Sequence, residues 1–300
     1  MLKIAHCPIY SHPLPEGHRF PMIKYDLIPE QLIYEGTCTK ENFFCPEPID
    51  EKWVLNVHDG AYWMGLKNGS IDPRMIRRIG FPLSPQLVMR EMIIARGTLE
   101  CCNLAKSNGI AMNVAGGTHH AFPDKGEGFC LLNDIGIAAG YLLDMKLAQR
   151  ILIIDLDVHQ GNGTAVMFQN EPRVFTFSMH GKDNYPLKKE KSDLDIPLKT
   201  GETDEIYLEN LTQNLSQLFE QQRPDFAFYL AGVDILETDK LGHLSVSREG
   251  CRQRDEFVFR ECKRRGIPVA VLMGGGYSPR LPDIVEAHCN TFREAQKIYF

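Results

Sequence analysis

The chain has 300 residues, 43% hydrophobic and 24% charged, which is enough apolar material for a substantial core and ordinary for a globular protein. A formal net charge of -6 excludes a dedicated nucleic-acid binder, because phosphate neutralisation needs a basic face. No apolar stretch approaches the ~18 residues of a membrane helix and no signal-peptide core opens the chain, so a cytoplasmic protein without a membrane span is expected.

In chain order, a helix is expected over 84–106, begun by Ser84 and Pro85, then a strand over 110–114 and a helix over 134–147 capped by Asp134. Strands follow at 151–156 and 174–179, and the mixed-charge stretch 182–195 reads as a solvated surface loop. A helix over 203–222, a strand over 226–231, a helix over 247–265, a strand over 269–273 and a helix over 279–297, capped by Ser278, complete the series. Alternating helices with strands apolar on both faces predicts an α/β fold, a doubly wound parallel sheet covered by helices on both faces. No composition break or repeat divides the chain, so one domain over 1–300 is expected. The nine cysteines are odd in number, include the adjacent Cys101 and Cys102 and show no CxxC spacing; they read as reduced, mostly buried thiols.

Ligands in open α/β sheets sit at the carboxyl ends of the strands, where this sequence concentrates its polar motifs. GGTHHAF (116–122) follows the first of the five expected strands, DLDVHQGNG (155–163) ends the second, AGVDILETD (231–239) continues the fourth and GGGY (274–277) follows the fifth. Alternation along a strand turns Asp155, Asp157 and His159 to one side. Gathering such groups on one face demands a compensating cation or proton, and two carboxylates with one imidazole make a three-ligand metal site with coordination left open. A lone DxDxH could equally be a capped strand end with surface carboxylates; Asp234, just past another strand, turns the balance towards Asp157, His159 and Asp234 as ligands. The neighbours His119 and His120 read as an acid/base pair, with Asp155 and Asn162 as the partners that fix their tautomers. Three glycines before Tyr277 allow close backbone approach and leave a phenol aimed at a polarised oxygen, whereas their spacing fits neither nucleotide-binding glycine motif.

These motifs, with GFCLLNDI (128–135), occur in the order found in zinc-dependent histone deacetylases, and the chain resembles that family over nearly its whole length. Gln160 in DLDVHQGNG, ILETDKLGHLSVS and HRFPMIKY make it most similar to the class IV branch. The resemblance implies the arginase/deacetylase fold with about eight parallel strands, metal ligands Asp157, His159 and Asp234, and catalytic groups His119, His120 and Tyr277 supported by Asp155 and Asn162. It also implies an acyl tunnel walled by Gly128, Phe129 and Tyr185, a potassium ion on Asp155 and Ser178, and Arg19 beside an acetate exit path. The implied activity is removal of acetyl or longer fatty acyl groups from lysine side chains or related amines by metal-bound water, with long chains favoured by the class IV branch. The ion would be zinc, although two Asp and one His also suit Fe(II) or Co(II). Expected partners are an acyl-lysine protein or a small acylated amine such as an acetylpolyamine. Two rivals are a two-manganese ureohydrolase, which would need another Asp where Gln160 and Gly161 stand, and a non-catalytic acyl-lysine binding module.

Overall fold

The computed structural model describes residues 1–300. Its strands are β1 (Ile4–Ala5), β2 (Phe43–Phe44), β3 (Ile110–Asn113), β4 (Ile151–Asp155), β5 (Val174–Gly181), β6 (Leu194–Leu198), β7 (Phe226–Leu230) and β8 (Val269–Leu272). They form one eight-stranded sheet in the order β2-β1-β3-β8-β7-β4-β5-β6, with every neighbouring pair parallel. Every residue of β3, β4, β7 and β8 is buried, as strands covered on both faces should be. β1 and β2, of two residues each, are too short to leave a periodic trace. β6 emerges from the end of the stretch expected to be a loop, and its Pro197 is tolerated because β6 is an edge strand.

The helices are α1 (Lys24–Tyr34), α2 (Glu51–Val54), α3 (Gly60–Asn68), α4 (Pro73–Ile79), α5 (Pro85–Asn108), α6 (Asp134–Asp144), α7 (Asn162–Phe168), α8 (Asp204–Gln222), α9 (Arg248–Arg265) and α10 (Leu281–Tyr299). One set packs around α5 and α6, another around α9 and α10, together with α8 and α1. Ser84 Oγ accepts the Leu87 N–H at 3.1 Å and so starts α5, while Ser247 caps α9 in the same way. Two expected caps differ. Asn133, rather than Asp134, caps α6 through the Gly136 N–H at 2.8 Å, and Ser278 pairs with the Thr238 hydroxyl while Arg280 occupies the cap of α10. The cysteine expectation also needs correcting: Cys7 and Cys45 form a disulfide, because parallel pairing of β1 with β2 brings the segments beyond them together. The other seven cysteines are buried free thiols, and no helix is long and apolar enough to cross a membrane.

Register aligns the carboxyl ends of the central strands. Asp155 lies opposite Leu230, Leu230 opposite Leu272 and Leu272 opposite Asn113, so the segments after β3, β8, β7 and β4 leave the sheet side by side. Beneath them lies a fully buried ion pair on α9. Arg254 Nε donates to Asp255 Oδ1 at 2.9 Å and its Nη1 to the Gly232 carbonyl at 2.6 Å, tying the helix to the segment beyond β7. Asp255 also accepts from the Tyr229 and Thr291 hydroxyls. Removing one partner of a buried pair strands the other charge, so Arg254→Leu should cost about 3–5 kcal/mol in urea unfolding. Arg254→Leu/Asp255→Leu should recover most of that loss; equal destabilisation by both variants would exclude the charge as its cause.

Candidate metal centre and active site

The loop after β3 is held by a carboxylate that sequence reasoning had read only as a helix cap. Buried Asp134 accepts from the Gly117 and Thr118 backbone N–H groups at 3.2 and 2.8 Å and from the Thr98 and Thr118 hydroxyls at 2.6 and 2.7 Å. This clamp sets His119 and His120, whose ring centroids lie 4.1 Å apart. His119 Nδ1 is 2.7 Å from Asp155 Oδ2, and His120 Nδ1 is 2.7 Å from Asn162 Oδ1, the two pairings expected from the sequence. Asn162 Nδ2 in turn donates to Glu127 Oε1 at 2.7 Å, a partner the sequence did not suggest because it lies 35 positions away.

The environments of the two imidazoles drive them apart. Burial, with His119 and His159 alongside, pushes His120 well below the usual imidazole range; burial also opposes the charge on His119, but the Asp155 carboxylate outweighs it and raises that ring. The result is a neutral imidazole beside one that favours its proton, the separation by which acid and base roles are assigned.

Asp157, His159 and Asp234 converge as expected. All three are buried, and one ligand atom from each lies within 4.8 Å of the others. His159 Nδ1 is 3.0 Å from Asp157 Oδ1 and 3.1 Å from Asp234 Oδ2. The remaining oxygens are oriented by backbone: Gly275 N–H donates to Asp157 Oδ2 at 2.8 Å and Val158 N–H to Asp234 Oδ1 at 3.0 Å. A Cβ on Gly275 would collide with the Asp234 carboxylate, and Gly274 has φ +61°, which explains two of the three consecutive glycines. Burial would lower His159, yet the two carboxylates raise it to about 10, and Asp234 is raised by burial and by the charge of Asp157. The cluster therefore favours positive charge at its centre. Two anionic oxygens and an imidazole nitrogen, desolvated and mutually close, fit a divalent cation.

Tyr277 stands at the edge of this cluster, its ring 6.4 Å from that of His159; burial pushes its phenol well above the ordinary range, so it keeps its proton. Asp239 fixes it, accepting the Tyr277 N–H at 2.6 Å through Oδ2 and those of Leu241 and Gly242 through Oδ1. Asp239 thus positions the backbone that carries the phenol. Lys24, also missed, is fully buried and donates to the Gly274 carbonyl at 3.1 Å. Burial lowers it to about 8 against the pull of Asp234, Asp157 and Asp239. Its only sequence signal was membership of HRFPMIKY, which assigned it no chemistry.

A cavity of about 390 Å³ leads from solvent to His120, His159 and Tyr277, and Glu127, Gly128, Phe129 and Tyr185 line it. Tyr185 packs edge-on to His120 at 5.0 Å, so the loosely patterned segment after β5 does deliver its aromatic to the wall. Behind the cluster lies a cavity of about 40 Å³, bounded by Phe20, Tyr25, Phe81, Ile94 and Arg90. The arginine facing it is buried Arg90; Arg19, expected along an exit path, is exposed and lies over the Phe129 ring at 5.0 Å, at the outer mouth. Ser178 is the register partner of Asp155, and its hydroxyl lies 3.0 Å from His180 Nδ1.

Residues 18–292 match the histone deacetylase domain. The chain belongs to the histone deacetylase family. An uncharacterized protein of Picosynechococcus is 44% identical over 99% of both chains, and histone deacetylase 2 of Arabidopsis thaliana is 29% identical over 87% of this chain and 70% of its own length. Among solved structures, a histone deacetylase homologue in complex with SAHA superposes with a TM-score of 0.85 at 23% identity, covering 99% of this chain and 84% of that one. A homologue from Aquifex aeolicus gives 0.84 at 22%, with the same coverage. The single parallel sheet described above is the deacetylase fold of these structures.

In this deacetylase-family chain, Asp157→Asn should strip most bound metal from a folded protein, whereas Asp239→Asn should retain the metal and lose roughly tenfold in kcat by misplacing Tyr277. Elemental analysis beside steady-state kinetics separates the two; full metal occupancy in Asp157→Asn would remove that residue from the ligand set.

Proposed function

We propose that the protein is a metal-dependent deacylase that hydrolyses the amide of a short-chain acylated amine, with acyl-lysine as the parent substrate. The observation carrying this reading is the convergence of the Asp157, His159 and Asp234 donors, the divided pair His119 and His120, and the Tyr277 phenol at the base of one tunnel. Asp157, His159 and Asp234 would hold a divalent ion, zinc by family precedent, which when bound supplies Lewis acidity towards a carbonyl oxygen and lowers the pKa of water.

The chain's own residues do the rest. His120, neutral and with Nδ1 engaged by Asn162, presents Nε2 as the base that takes a proton from the attacking water. His119, held by Asp155, keeps positive charge beside the developing oxyanion and shares with His120 the return of a proton to the leaving amine. The Tyr277 hydroxyl donates to the acyl oxygen as negative charge builds on it. Gly128, Phe129 and Tyr185 bound an apolar passage for the amine's alkyl arm. Parallel register brings Asp155 and Ser178 to facing positions, which supports a potassium site there. A purely binding role is disfavoured because a reader needs neither a neutral base nor an oriented phenol.

Tyr277→Phe should retain metal and KM while kcat on a fluorogenic acetyl-lysine peptide falls roughly 10²- to 10³-fold, the scale of one lost oxyanion donor. An unchanged kcat would dismiss Tyr277 from the reaction. The inner cavity of about 40 Å³ suits an acetyl group and not a fatty chain. On this reading, and against the long-chain preference that the class IV resemblance implies, kcat/KM should fall from acetyl through octanoyl to myristoyl on one peptide; a rise along that series would bear out the long-chain preference instead.

A further inference from the structure

The tunnel mouth carries two arginines that form no ion pair. Arg19 and Arg78 are exposed and line the mouth, and neither guanidinium is part of any ion pair within 4.0 Å. The Arg19 guanidinium and the Arg78 backbone are each anchored to the tunnel wall. Arg19 lies over the Phe129 ring at 5.0 Å, and the Arg78 and Ile79 carbonyls accept the Gly128 and Phe129 N–H groups at 3.0 and 2.7 Å. The one carboxylate of the lining, Glu127, is engaged with Asn162 deeper in the passage. A ligand leaving the tunnel therefore meets positive charge at its outer end.

We infer that the site selects acylated amines bearing a carboxylate at the outer end of the alkyl arm and discriminates against those bearing a second ammonium there. The inference rests on the deacylase reading. With the amide beside His120 and Tyr277, the outer end of the alkyl arm would lie towards the part of the same cavity that Arg19 and Arg78 line. A carboxylate at that position gains charge-assisted hydrogen bonds from guanidinium forks, whereas the tail of an acylated polyamine meets like charge. Because these contacts are made equally in ground and transition states, the preference should appear in KM.

The test compares three substrates of the metal-loaded protein: Nα-blocked Nε-acetyl-lysine with a free carboxylate, its carboxamide, and monoacetylcadaverine. The acid should exceed the carboxamide roughly tenfold in kcat/KM, with the diamine below both, and the acid-to-carboxamide ratio should shrink with added salt. In Arg19→Gln/Arg78→Gln that ratio should fall to within roughly twofold. Acetyl-lysine peptides with Asp or Asn after the lysine locate the source of the charge: preference for the free acid alone assigns a small-molecule α-carboxylate, and preference for the Asp peptide as well assigns an acidic sequence. Equal rates on acid and carboxamide, or a preference for the diamine, would overturn the inference and leave the deacylase reading intact. No turnover of any substrate would overturn the deacylase reading, and this one with it.

Discussion

Burying three carboxylates and three imidazoles together at one end of a parallel sheet is the constraint to which much of this structure answers. Asp155, Asp157 and Asp234 are almost wholly removed from water, as are His119, His120 and His159, and each unpaired charge there would cost several kcal/mol. The chain meets that demand in layers. Backbone N–H groups from Val158, His159 and Gly275 fill oxygen lone pairs, and Asp155 is neutralised by His119. Arg254 holds the carbonyl beside the ligand loop from below, while Lys24 brings a buried cation to the carbonyl of Gly274. What remains is a centre that still favours positive charge, shaped by donors rather than filled by them.

The parts of this arrangement legible in the sequence were those encoded within a few positions. Asp155 ends β4 and Asp157 and His159 follow in the segment just past it, so the alternation expected from the sequence reaches only the first of the three, although Asp157 and His159 still converge; the central strands declared themselves by unbroken apolar runs ended by glycine or polar residues. Pairing of His119 with Asp155 and of His120 with Asn162 followed once those segments were placed at neighbouring strand ends. The supporting partners were not legible. Glu127, Asp239, Lys24 and Asp134 act across distances set by the fold, and nothing near them in the chain marks these charges as supports of the site.

The same limit explains the mistaken expectations. Cys7 and Cys45 meet only because two strands of two residues each pair at the sheet edge, below the length at which hydrophobic periodicity carries information. Arg19 could be aligned with an exit-path arginine, but its depth depends on how the segment before α1 lies over Phe129, and Arg90 from α5 faces the inner cavity instead. Conversely, Tyr185 reached the tunnel from a stretch whose composition looked like surface, since a few buried anchors such as Asn184 and Ser192 suffice to hold it.

The strand order also bears on how the chain comes together during synthesis. β3 and β4 are consecutive in sequence but separated in the sheet by β8 and β7, so the sheet consists of two sequence-contiguous blocks, β1 to β3 and β4 to β6, with a gap between them that only the last two strands fill. His119, His120, Asp155, Asp157 and His159 are therefore all translated before the segment carrying Asp234, and the backbone of Gly275 arrives later still. Without residues 226–230 and 269–272 the sheet would have two open edges at its centre, flanked by apolar strands. Placement of the closing strands and completion of the charged centre are therefore coupled, since neither Asp234 nor the Gly275 backbone reaches the cluster until β7 and β8 fill the gap.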